Sequence, residues 1–335
     1  MGIVRFSYLF MNWEKKIQID KNWVERHLNH HFDSKELKII VRGYTPKVSG
    51  TIFSCSSMIS ELAMMIPEYA FSEDKKEEIK KNLVKLYGDQ TAEKYYERNL
   101  VQMSQKFFGK KNPQKDGKYG ELLLFALVES VLNSKMVAHK IVNLTNFKDQ
   151  VKGGDGIFLG DYDVDGKSQS ALFIGESKVQ QDFSKAVDEA LISLNRFHDP
   201  LFKSEFNNTE FIVAKDTLMI DDNYEELYDR LTPGTNEYNK QIIVHPILIM
   251  FNTASINSFE TKSTSTEELE GFIKSYMSKN IEVYKTKINE KLNNYGEIKK
   301  VFIDVFIFPF NNIDNFRNGM YHSIHGVAFQ TGGNE

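Results

Sequence analysis

The sequence predicts an α/β fold: a central mixed sheet flanked by helices, with a further α/β extension at the N-terminus. From about residue 120 onward, strand-like apolar runs alternate with segments of helical spacing, the order that lays helices against a sheet. The runs ALFI (Ala171–Ile174) and ILIMF (Ile247–Phe251) are strongly apolar, as strands covered by helices must be. Ser72 and Asp182 stand where helix N-caps belong.

Taken in order, LKIIVRGY supplies a short strand at Ile39–Val41, punctuated by Gly43 and Pro46. The run MISELAMMIPEYAF has helical spacing up to Pro67, which is expected to stop it. Ser72 then caps a charged helix that carries acidic residues in its first turn and ends near Gly88. A third helix occupies TAEKYYERNLVQMSQKFF. The lysine-rich stretch Lys106–Gly120 reads as an exposed connector between an N-terminal region, 1–105, and a second domain, 106–335. It reads equally well as a basic flap that meets phosphate through Lys110, Lys111, Lys115 and Lys118.

The segment YGELLLFALVESVLN is apolar almost all round, so it should be a buried helix starting near Gly120, with Glu121 in its first turn. His139–Phe147 reads as a strand, KGGDGIFLG as a turn opening another, and SALFIGESKVQ as a third beyond the turn VDGKSQ. Asp182 caps a helix whose apolar positions are Phe183, Ala186, Val187, Ala190, Leu191 and Leu194. A strand at Glu210–Lys215, a short helix in NYEELYDRL, an apolar strand interrupted at Pro246, a long amphipathic helix from Thr266 and a last strand in KKVFIDVFIFPF complete the alternation.

Composition narrows the function. The 335 residues are 41% hydrophobic and 26% charged, ordinary values for a globular chain able to bury a core. No apolar run is long enough to span a membrane. The N-terminal MGIVRFSYLFMNWEKK is broken by Arg5 and Asn12 and lacks a cleavage site, so no signal peptide is expected. The single cysteine, Cys55, excludes a disulfide framework and a cysteine-rich zinc site and suggests a reducing, cytoplasmic setting. A net charge of −4 excludes a uniformly basic DNA binder but allows a local basic surface around an acidic site, with a partner helping to hold DNA.

Asp155 opens one apolar run and Glu176-Ser177-Lys178 closes the next. The simplest arrangement of the two is an antiparallel hairpin, which makes Asp155 and Glu176 neighbours. Two carboxylates with water suit Mg²⁺, with Mn²⁺ as the alternative; such an ion activates water and offsets charge building on a phosphate. Glu176 and Lys178 are two apart and therefore project from one face of their strand, setting an ammonium beside the attacking water. The backbone carbonyl of Ser177 can add an oxygen ligand, and Glu121 can complete the acidic cluster. A glutamate in the first turn of a helix is also favoured by the helix dipole alone.

Glu121, Asp155 and Glu176-x-Lys178, followed by a helix with Gln180 and Gln181 at its start, resemble the PD-(D/E)xK nuclease core. More narrowly, GGDGIFLG followed by FIGESK and FSKAVDEALISL resembles the HamA family, the nuclease subunits of the Hachiman anti-phage defence system, over roughly residues 115–310. No proline directly precedes Asp155, a departure from the motif's name. The resemblance implies a restriction-endonuclease-like core, a metal-dependent DNase of little sequence specificity, DNA contact at Gln181, and a helicase partner (HamB-like) that restrains the nuclease until foreign or damaged DNA is sensed. The competing expectation is a nuclease-like subunit that serves the helicase as a scaffold without cutting DNA.

Other clusters carry less. His27, His30 and His31 would share a helix face but lack suitably spaced carboxylates, and Cys55 has no nucleophile signature around it. Asp161–Gly166 matches the first half of a calcium loop, but Leu172 stands where the twelfth-position glutamate is needed, so it reads as an acidic hairpin turn. His322 and His325 are assigned to packing or partner contact.

Overall fold

Residues 12–138, 154–198 and 224–330 are described by a computed structural model of the chain. Among them, one sheet is built from β1 (Leu28–Glu36), β2 (Ile39–Pro46), β3 (Lys135–Ala138), β4 (Gly156–Val164), β5 (Lys167–Val179), β6 (Ile242–Asn252) and β7 (Phe302–Phe310). The strand order is β1-β2-β7-β6-β5-β4-β3. β2, β7, β6 and β5 run parallel to their neighbours in that central block, while β1, β4 and β3 join by antiparallel pairing. The sheet is therefore mixed, as the alternation of runs predicts. The expected strands at His139–Phe147 and Glu210–Lys215 lie outside the described residues.

The helices of the first two thirds are α1 (Trp23–His27), α2 (Ser56–Met64), α3 (Ile66–Ala70), α4 (Glu73–Tyr87), α5 (Asp89–Phe108), α6 (Lys118–Val131) and α7 (Phe183–Asn195). Pro67 does not end the helical run as expected. The chain breaks at Met65 and restarts with Pro67 in the first turn of α3, where a missing N–H and a fixed φ do no harm. Ser72 caps α4 by accepting from Lys75 N, and Gly88 closes it at φ +73°, a conformation that favours glycine. Asp182 caps α7 by accepting from Lys185 N at 2.8 Å, and the six apolar positions predicted for this helix are all buried.

Two helices sandwich β5. Gly175, Ser177 and Val179 point toward α6: a Cβ on Gly175 would lie 2.9 Å from Leu124, and one on Gly120 would lie 2.8 Å from Val179. The alternate residues Glu176 and Lys178 pair across the ladder with Ile247 and Ile249. Those isoleucines line a small apolar gap together with Val187, Ala190 and Leu191 of α7. Because side chains alternate along a strand, Glu176 and Lys178 belong to the α7 face and Ser177 to the α6 face.

The N-terminal hairpin β1–β2 continues the same sheet through the parallel β2–β7 pair, so strands from both sides of residue 105 share it. One connected apolar core reaches from Trp13 to Ile324, while Ile79, Leu83, Ala92 and Leu100 form a small separate core between α4 and α5. Beneath the β2–β7 seam, the fully buried carboxylate of Asp304 accepts from Arg42 Nε (2.7 Å) and Nη2 (2.9 Å) and from the Tyr162 hydroxyl (3.2 Å).

β6 runs unbroken through Pro246 instead of being interrupted there. Its ladder to β7 continues at Pro246, but the ladder to β5 lapses opposite Ile174 and Gly175, since proline has no N–H to give. The ring of His245 fills the gap: its Nδ1 lies 3.0 Å from the carbonyl oxygen of Ile174. A carbonyl only accepts, so Nδ1 carries the proton, and Nε2 is left to accept from His198 Nε2 at 2.7 Å. Burial, with His198 adding to it, holds His245 down to about 3, so the His245 ring is neutral. Among the described residues, no helix is long and apolar enough to cross a membrane.

Candidate active site

The β4–β5 hairpin turns at Asp165 (φ 54°) and Gly166 (φ 79°), the double positive φ of a type I′ turn, with Gly166 N donating to Asp163 Oδ1 at 3.1 Å. The acidic turn predicted there is present. From this turn the register is fixed as far as Gly156, which pairs with Gly175, so that Asp155 follows beside the Gly175–Ser177 stretch. Asp155 N still donates to Gly175 O at 2.7 Å, just beyond the paired residues, and this anchors the aspartate at the strand end. Gly154 admits this close approach, because a Cβ there would sit 2.8 Å from Ile174 and 3.1 Å from the carbonyl oxygen of Gly175.

Three neighbouring side chains are thereby buried together: Asp155 and Ser177 at 8% exposure and Glu176 at 1%. Oδ2 of Asp155 accepts from both the amide (2.7 Å) and the hydroxyl (2.8 Å) of Ser177. Lys178 donates to Oε1 of Glu176, whereas Oε2 of Glu176 is buried with no partner. Burial and the charge of Asp155 push the Glu176 carboxyl up to about 7, against the pull of Lys178. For Lys178, burial opposes the charge, but Glu176 and Asp155 outweigh it and hold the ammonium above the ordinary lysine value.

Glu121 stands apart from Glu176, though its charge and that of Asp155 both reach the Tyr69 hydroxyl. It rides on α6, across the sheet from the face bearing Glu176, and its Oε2 accepts from the Tyr69 hydroxyl at 3.1 Å. Among the described residues, no three His, Cys, Asp or Glu side chains form a metal-holding group. The arrangement is thus a carboxylate pair at the end of β5, with Glu121 behind it on the α6 side. The donor set still fits a hard divalent cation. Asp155 and Glu176 are close enough for one charge to shift the other, and Glu176 Oε2 is a buried oxygen with no well-formed hydrogen bond, although the Ser193 hydroxyl also pulls on this carboxyl. Mg²⁺ and Mn²⁺ take such oxygens and complete their shells with water.

Two residues near the site escaped the sequence reading. Tyr69 sits in an apolar helical run and reads there as core. Asp116 reads as part of a connector, yet its Oδ1 accepts from Lys118 N at 3.1 Å and its Oδ2 is buried without a partner. Neither leaves a local signal, because each meets the site only through the packing of α3 and α6.

The phosphate-contacting set divides. Lys110, Lys111 and Lys115 are exposed in the loop that leads into α6, and Gln181 is exposed just beyond β5. Lys118 corrects the expectation: it is buried, and its ammonium donates to the carbonyl oxygens of Phe107 (3.2 Å) and Phe108 (2.9 Å). It closes the last turn of α5, where a cation satisfies unpaired carbonyls and the helix dipole. Gln180 donates to Glu189 of α7 at 2.6 Å. The early histidines are separated by a strand where a helix face was expected: His30 meets Asp33 and His31 meets Thr45, each at 2.8 Å. Cys55 is buried.

Comparison with known families finds a match to the family model described as HamA over residues 18–324. No curated protein matches the chain.

Proposed function

The chain belongs to the HamA family and has a role in anti-phage defence, and from that premise we propose that it is a metal-dependent DNA nuclease with a PD-(D/E)xK core, working with a helicase partner. The observation that carries this reading is the buried pair Asp155–Glu176 at adjacent strand ends, with Lys178 on one oxygen of the glutamate and the other oxygen unpartnered. A structural role explains such a group poorly, because a buried carboxylate oxygen without a donor costs stability. A site that takes a cation explains it directly.

A divalent ion, Mg²⁺ or Mn²⁺, would supply Lewis-acid activation of water and offset charge at the phosphate. Asp155 and Glu176 would hold it, with the Ser177 carbonyl as a further oxygen. Ser177 orients Asp155 through its amide and hydroxyl. Lys178, bonded to Glu176, would be a cation able to orient water or to stabilise the developing oxyanion charge. Exposed Lys110, Lys111 and Lys115, in the loop preceding α6, and Gln181 would meet the DNA backbone. That basic patch is small against a net charge of −4, which favours delivery of the strand by a helicase over unaided capture.

The test uses the full chain with its helicase partner and duplex or single-stranded DNA, in Mg²⁺ and in EDTA. Cleavage is expected in Mg²⁺ alone and should vanish in Asp155→Asn, Glu176→Gln and Lys178→Met. Undiminished cleavage by all three variants would remove the site from the reaction. Helicase binding with no cleavage under any metal would favour the scaffold role.

A further inference from the structure

Tyr69 is fully buried in α3, and its ring is wedged among Phe107, Phe108 and Phe125 at centroid distances of 6.0, 6.0 and 5.5 Å. Its hydroxyl therefore points in one fixed direction, onto Oε2 of Glu121. The charges of Asp155 and Asp116 also reach that hydroxyl. Gly120 lets the first turn of α6 press in close: a Cβ there would lie 2.8 Å from Val179 and 3.2 Å from Ser177 Oγ.

A buried phenol needs a partner, but a backbone carbonyl would serve; a half-buried carboxylate is the costlier choice. We propose that Tyr69 is a positioning residue for metal binding: it clamps the Glu121 carboxylate behind Asp155, so that the cation site is completed from the N-terminal helical region. The proposal rests on the nuclease reading and assigns Tyr69 and Glu121 one shared task within it. Residues that orient the groups around a metal commonly change its affinity by about 10–100-fold when lost.

The experiment titrates Mn²⁺ into the full chain by calorimetry for wild type, Tyr69→Phe, Glu121→Gln and the double variant, with melting curves in EDTA and DNA cleavage by wild type in parallel. Phenylalanine keeps the ring and its packing, so the fold should survive. The expected result is a loss of about tenfold in Mn²⁺ affinity for each single variant, with the double variant no weaker than either, as for residues acting as a unit. Wild-type affinity in Tyr69→Phe alongside a weakened Glu121→Gln would overturn the clamp, and wild-type affinity in both would remove Glu121 from the site as well. Full addition of the two losses would also overturn it, by showing separate tasks. Should Tyr69→Phe melt early, Glu121→Gln decides: an unchanged Mn²⁺ affinity there overturns the proposal. A wild type that cleaves DNA while the variants match it sinks only this inference. A wild type that neither binds Mn²⁺ nor cleaves sinks the nuclease reading, and the clamp with it.

Discussion

Lys178 occupies one oxygen of the Glu176 carboxylate and leaves the other buried and unpartnered. The metal-free protein therefore carries an incompletely compensated acid at the end of β5. Glu176→Gln should raise the melting temperature measured in EDTA while removing cleavage. Lys178→Met should do the reverse to stability, costing about 1–3 kcal/mol, because the acid then loses its counter-charge. Denaturant titration of both variants without metal checks the two signs together.

The pH dependence follows from the same group. The Glu176 carboxyl sits near 7 against an ordinary 4.5, so the folded chain holds this proton more tightly than the unfolded chain. Its contribution to stability is full below about 4.5 and is lost as pH rises through 7. In EDTA, the Glu176→Gln variant should be less weakened than wild type on going from pH 5 to pH 8. Mn²⁺ needs the deprotonated acid, so its affinity should fall as pH drops below about 7. Calorimetry across that range, in buffers of different ionisation heat, would detect the released proton.

Gly120 sets how closely α6 approaches β5. A methyl group there would meet Val179 at 2.8 Å and Ser177 Oγ at 3.2 Å. Gly120→Ala should cost about 1–3 kcal/mol by overpacking, despite alanine's better helix propensity. Cleavage should fall more than stability explains, since both Glu121 and Ser177 shift. Activity compared with urea unfolding at one temperature separates the two effects.

Arg42 and Asp304 join β2 to β7 in a buried, doubly bonded pair. Removing one partner strands the other charge, so Arg42→Met should cost about 3–5 kcal/mol. The double variant Arg42→Met/Asp304→Leu should recover part of that loss, as equilibrium unfolding of the three proteins would show.

Much of this was legible locally. The cap at Asp182 and the period of Phe183 to Leu194 specify α7, and Asp165-Gly166 specifies a hairpin whose register brings Asp155 to Glu176. What stayed hidden depended on contacts distant in sequence. Lys118 carries nothing to mark it as buried until the open carbonyls of Phe107 and Phe108 are placed beside it. Glu121 reads as a member of the acidic cluster, but the one-residue alternation along β5 turns Glu176 to the α7 face, so that Glu121 on α6 meets the Ser177 side of the strand instead. Pro246 suggests a break, and only the ring of His245, standing in for a missing ladder bond, shows why the strand continues.

β7 is paired on one side by β6 and on the other by β2. The acidic pair and the N-terminal hairpin are therefore not separable parts. A fragment starting at residue 106 would bare the β7 edge beside the orphaned Asp304, an invitation to self-association, and it would also lack Tyr69. Any evolutionary exchange of the N-terminal segment would have to preserve both the sheet edge and the helix that reaches the acids. The region that looks like an accessory is thus tied to the sheet it flanks.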